Sequence, residues 1–234
     1  MALDTAAMLA AAEHAATEVP GSLSLLSAIR SLEKRQHDLA HSFAEETNRL
    51  GIDTCSYRFF GGESQPPIMA LSRVLELFQV LLTAVHGSVE NGQPGSRGRS
   101  EAEILEETTL HFGYTFPGSV GFMLTLPRPR PCPLAGEATL DESIDMLFAL
   151  ARATSPSEIA AFARQLGPDP IRAAHLWASA HVEAGFGAAI DWRRKTNEVH
   201  LVLQQREMER LVSAIAESQA IEDQAVVAGS RAKS

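Results

Sequence analysis

Three features of the 234-residue sequence predict an α+β fold. A stretch from Pro66 to Val89 has an apolar stripe broad enough for a buried core helix, with Ile68, Leu71, Val74, Leu75, Phe78, Leu81, Leu82 and Val85 at three- and four-residue steps. Hydrophobic residues alternate with smaller or polar ones on both sides of Pro117-Gly118, the pattern of an antiparallel strand pair. A series of capped helices and then two more strands fills the C-terminal part. The expected architecture is a long N-terminal helix and a small, mainly antiparallel sheet packed on the central helix, followed by a unit of helices and a hairpin. The expected divisions are an α+β domain over residues 1–137, the helix-and-hairpin unit over 138–218, and a flexible tail over 219–234.

Composition narrows the function classes. A hydrophobic share of 45% is enough for a buried core, while a formal charge of −9 disfavours nonspecific nucleic-acid binding by the whole molecule. Arg73 and Glu76 interrupt the most apolar stretch, so no membrane span is expected. Residues 1–16 are Ala-rich, contain Asp4 and Glu13 and have no basic residue, which does not match a secretory leader, and a cytoplasmic protein is expected. Cys55 and Cys132 are too few for a disulfide framework or a zinc site and are expected to be reduced thiols. The Ala-rich, Arg-over-Lys composition points to a bacterial source.

Residues 22–50 carry Leu25, Ile29, Leu32, Gln36, Leu39, Phe43, Glu46 and Leu50 at alternating four- and three-residue steps, and Gly51 stops the helix. This seam predicts self-association through Leu25, Ile29, Leu32, Leu39 and Phe43, giving a homo-oligomer; the alternative is a long helix packed on its own domain. His37 and His41 lie one turn apart but face away from the seam, so no metal site is assigned to them. Asp53–Phe60 reads as a strand ended by Gly61-Gly62. In the central helix, Pro67 suits the first helical position, and Arg73, Glu76, Gln79 and Thr83 hold the polar side. Gly87–Ser100 has much Gly and no periodicity and is expected to be a loop; without a Gly-Lys-Ser/Thr ending it is no phosphate cradle. Ser119 follows Pro117-Gly118 in a turn before a strand, where a nucleophile elbow would need a helix. Alternating prolines from Pro127 to Pro133 predict an extended linker.

Beyond the linker, Asp141–Arg152 is an amphipathic helix, Ser155-Pro-Ser-Glu158 is a capping box opening a helix that stops at Gly167, and a third helix is expected from an Asp169 cap and Pro170 to Gly185. Two strands, Gly187–Arg193 and Glu198–Leu203, and a helix containing Met208, Leu211, Val212 and Ile215 complete the chain. The segment Ile159-Ala-Ala-Phe-Ala-Arg-Gln-Leu-Gly167, with Ala163 four residues before the turn glycine, and Glu183-Ala-Gly185 leading into the hairpin resemble a winged helix-turn-helix module over about a quarter of the chain, Asp141 to Leu203. The resemblance implies a third helix that enters the DNA major groove through Arg172 and His175, and a wing whose Arg193, Arg194 and Lys195 touch phosphates.

From Pro170 to Ala184, however, the helix has one Arg, two His and no Lys, Gln, Asn or Thr, while Leu176 and Trp177 add apolar bulk. This suits a protein interface with Trp177 as an aromatic anchor, or a core position for Trp177. The sequence therefore predicts a non-enzymatic, oligomeric binding subunit of a bacterial multicomponent system, regulatory or defensive, that docks a protein partner through the C-terminal unit. The alternatives are a winged-helix DNA-binding regulator and an enzyme with a dispersed site drawn, for example, from Glu107, His111 and Ser119. No cofactor or metal is expected.

Overall fold

The computed structural model describes residues 51–61, 66–92, 100–115, 120–127, 137–193 and 198–231, together with helical positions between 31 and 50. The strands are β1 (Ile52–Phe60), β2 (His111–Thr115), β3 (Val120–Pro127), β4 (Gly187–Arg193) and β5 (Glu198–Leu203). They form one antiparallel sheet in the order β2-β3-β1-β4-β5. Besides the helical positions before β1, the helices with described bounds are α1 (Ile68–Gly92), α2 (Glu101–Thr108), α3 (Glu137–Ala151), α4 (Pro156–Leu166), α5 (Pro168–Ala184) and α6 (Gln205–Arg231).

The period-two alternation of β1 decides how the layers stack. Cys55, Tyr57 and Phe59 point to one side, where they are buried with Phe78 and Leu82 of α1 and Trp177 and Ala178 of α5. The rings of Tyr57 and Phe78 lie 5.0 Å apart, and those of Phe78 and Trp177 6.1 Å apart. Aromatic edges and faces thus fill the interface between sheet and helices. On the opposite face, Tyr114 shares a row with Met123 and Ser56. There Phe43, on the helical segment preceding β1, meets Tyr114 edge to face at 5.1 Å.

The sheet crosses the boundary expected near residue 137. β4 pairs with β1 over seven registered positions, and one hydrophobic cluster includes Phe78 and Leu82 as well as Trp177, Ile190, Leu211 and Ile215. The predicted order of three helices and a hairpin is present, but the hairpin is not a free wing, because one edge of β4 is used by β1. The helix expected to read bases is packed against α1, α4, α6 and β4. Residues from 219 on, expected as a tail, are helical to Arg231.

Several boundaries differ for local reasons. The central helix runs past Gly87 to Gly92, through part of the expected loop, because Val89 and Glu90 are buried and Gly87 lies beneath Ile104. α5 begins at Pro168 rather than at an Asp169 cap; Gly167, with φ +81°, ends α4 and starts α5 without a side-chain cap. Gly185, with φ +76°, closes α5 in the left-handed conformation, as its position in the sequence predicts. The remainder of the Gly87–Ser100 loop, the Pro127–Pro133 linker after its first residue, Cys132, His37, His41 and the 1–30 stretch lie outside the described residues. Cys55 is a free, buried thiol whose pKa is pushed well up by burial and, secondarily, by the charge of Asp191.

Candidate docking groove

An open groove of about 760 Å³ lies between α1 and α2, closed at one side by the α4–α5 turn. α1 contributes Gln79, Val80, Thr83, Ala84, Gly87, Ser88, Asn91 and Gly92, α2 contributes Glu101, Ile104 and Leu105, and Gln165, Leu166 and Asp169 complete the wall. Two large apolar side chains in it stay open to solvent, Val80 at 45% and Leu105 at 51% exposure.

This groove exists because α2 is held at a fixed distance from α1. A capping box starts α2: the Ser100 hydroxyl accepts from the Glu103 N–H at 3.3 Å, and the Glu103 carboxylate accepts from the Ser100 N–H at 2.9 Å. Ile104 then drops onto Gly87, where an added Cβ would lie 3.4 Å from its Cδ1. Gln79 clamps the other end: its Nε2 donates to the Thr108 carbonyl and its Oε1 accepts from the Leu110 N–H, each at 2.8 Å. The hydroxyls of Thr83 and Thr108 are also hydrogen-bonded at 2.8 Å. Gln79 and Thr83, read from sequence as the polar face of the central helix, are the staples that attach α2. The short helix itself was absent from the sequence reading, although Ser100-Glu101-Ala102-Glu103 is the capping signature that would have found it.

On the other flank of α2, His86 Nε2 lies 3.2 Å from Glu107 and Nδ1 lies 3.0 Å from the Ser143 hydroxyl of α3. The tautomer with Nε2–H donating to Glu107 leaves Nδ1 to accept from Ser143. A Ser-His-Glu set has the residue types of an acyl-transfer site, but Ser143 is wholly buried and His86 nearly so. With no route for a substrate carbonyl to the hydroxyl, these bonds fasten α2 and α3 to α1. Of the residues suggested for a dispersed enzyme site, Glu107 is thus engaged with His86, His111 sits exposed on β2, and Ser119 lies outside the described residues.

A second polar chain runs through the core. The Trp177 indole N–H donates to the Tyr57 hydroxyl at 2.9 Å, and that hydroxyl meets His181 Nε2 at 2.6 Å. His181 Nδ1 lies 3.1 Å from the Phe186 carbonyl, an acceptor only, so Nδ1 carries the proton and Nε2 accepts from Tyr57. Burial lowers the His181 pKa from 6.5 to about 4, against the opposing pull of the Phe186 carbonyl, and burial raises Tyr57. On the opposite face of the sheet, Asp191 accepts from Ser56 and from His200 Nδ1, each at 2.8 Å. Burial works to raise its pKa, but those two bonds and the charge of Arg58 hold it below the usual value.

The described residues among those singled out from sequence do not converge on one surface. Trp177 has no exposure, and its ring packs on Phe78 and His181, so the proposed aromatic anchor belongs to the core. Exposed Arg172 pairs with Asp169 at 3.5 Å, His175 is half-buried, and Arg193 pairs with Glu198 across the hairpin at 3.1 Å. Arg194 and Lys195 lie outside the described residues, as do Leu25, Ile29, Leu32 and Leu39. Of the five residues expected to carry self-association, Phe43 is the one described, and it packs on Tyr114 of its own sheet, while Glu46 and Leu50 of the same seam are exposed. No family model matches this sequence, and no curated protein or solved structure is significantly similar to it.

Proposed function

We propose that this chain is a non-enzymatic binding subunit that docks a protein partner in the groove between α1 and α2. The observation that carries the reading is a cleft built before any partner arrives: α2 is fixed to α1 by Gln79, Thr83 and Ile104, while Val80 and Leu105 remain open between them. Preorganisation removes the ordering cost that otherwise offsets interface contacts, and exposed apolar side chains ringed by polar ones suit a helix-in-groove interface. The C-terminal unit takes part through Gln165, Leu166 and Asp169 rather than through Trp177. Self-association through the 22–50 seam remains part of the proposal.

Protein docking is favoured over duplex reading by charge. Arg172 and Arg193 are each paired with a carboxylate, and Asp169 and Glu183 share the exposed side of α5 with Arg172. The test is selection of displayed peptides on the immobilised full chain, with Val80→Asp as counter-target; Val80 is open enough for the fold to survive. Peptides retained by the parent and lost on the variant support docking in the groove. A selection that yields only peptides insensitive to Val80→Asp refutes it.

A further inference from the structure

We propose that the occupant of this groove is an amphipathic α-helix with basic residues along its flanks, a proposal that rests on the docking reading above. Shape argues for a helix. The α1 wall from Gln79 to Gly92 extends about 20 Å along its axis, room for roughly three to four helical turns. Ala84, Ser88 and Gly92 keep that wall low, and nothing stands within 4 Å of a Cβ at Gly92, so a second helix backbone can approach closely. Val80, Ile104 and Leu105 supply the apolar floor that the buried stripe of such a helix requires.

Charge argues for basic flanks. The described lining has two carboxylates, Glu101 and Asp169, and no lysine or arginine. α2 has no basic residue along its eight positions, and of its glutamates Glu101 lines the groove, while Glu103 caps the helix and Glu107 meets His86 on the other flank. Arg172 lies beside Asp169 at 3.5 Å, but both are more than half exposed, so that pair is weak and readily exchanged. An acidic helix would meet like charges on the α2 side, whereas Lys or Arg flanking an apolar stripe would meet complementary ones.

The experiment is fluorescence anisotropy on the full chain with two labelled synthetic helices of about 14 residues. Both carry Leu at i, i+4 and i+7; one has Lys and the other Glu on the flanks. The Lys peptide is expected to bind at least about tenfold more tightly, with the gap narrowing in high salt, vanishing in the Glu101→Gln/Asp169→Gln variant and reversing in Glu101→Lys/Asp169→Lys. Val80→Asp should abolish binding of both, and circular dichroism confirms that each variant is folded. Equal affinity for the two peptides, lost in Val80→Asp, overturns the basic-flank inference and leaves protein docking standing. An apolar dye that binds in a Val80-dependent way while neither peptide does overturns the helix in favour of a small amphiphile. Absence of Val80-dependent binding by any of the three probes overturns this inference and the docking reading together.

Discussion

Acidification from about pH 7.5 to 5 is expected to remove roughly 2 kcal/mol of folding stability through His181 alone. The neutral ring is used at both nitrogens, with Nδ1–H donating to Phe186 and Nε2 accepting from Tyr57, whose oxygen also accepts the Trp177 N–H. A proton on Nε2 would face a hydroxyl whose own hydrogen then has no acceptor, in a site closed to water. Accordingly, the pKa falls from 6.5 to about 4 in the fold. For a base held neutral, the unfolded chain binds the proton first as pH drops. Stability from this residue is therefore complete above about pH 6.5, declines by about 1.4 kcal/mol per unit below it, and levels off below pH 4 after a total loss of roughly 3 kcal/mol. Urea unfolding across this range measures the slope, and the His181→Gln variant, which does not titrate, should lose that share of it. The ring protons of His181, followed by NMR, should show no transition near pH 6.5. A His181 titration at its ordinary value, or an unchanged slope in a folded His181→Gln variant, refutes the reasoning.

Other substitutions test the remaining parts of the fold. Gly185→Ala forces a side chain into a left-handed position and should cost about 1 kcal/mol in urea unfolding. Gly187→Ala should cost more, since the new Cβ would lie 2.5 Å from the Leu203 carbonyl and can be relieved only by shifting β5 away from β4; thermal unfolding would register the difference. Gln79→Ala withdraws two hydrogen bonds from the end of α2 and should raise amide exchange in Glu101–Thr108 while leaving β1 protected. Ile29→Asp with Leu39→Asp should convert an oligomer to monomer in light scattering, and an unchanged mass for a folded variant removes the seam from the proposal. Changing Arg193, Arg194 and Lys195 together to Ala should leave duplex DNA retention unaltered; a salt slope that falls by about three units would restore the phosphate-contact reading.

Local chemistry alone determined the elements whose signals are local. The capping box at Ser155, the αL stop at Gly185, the alternation of Cys55, Tyr57 and Phe59, and the hairpin at Gly187–Leu203 depend on backbone geometry and side-chain period within a few residues, and each occurs where its sequence places it. Which strands become neighbours is a different matter, since β1 and β4 lie more than a hundred residues apart and nothing in either segment encodes the other. Once that pairing forms, the hairpin ceases to be a free wing and α5 is enclosed by α1 and α6, taking Trp177 from expected anchor to core. Polar residues show the same division. Gln79 on a helix surface has the same sequence appearance whether it faces water or receives the end of another helix. Only the approach of α2, whose Ile104 packs over Gly87, turns Gln79 into a clamp and the space beside Val80 and Leu105 into a groove.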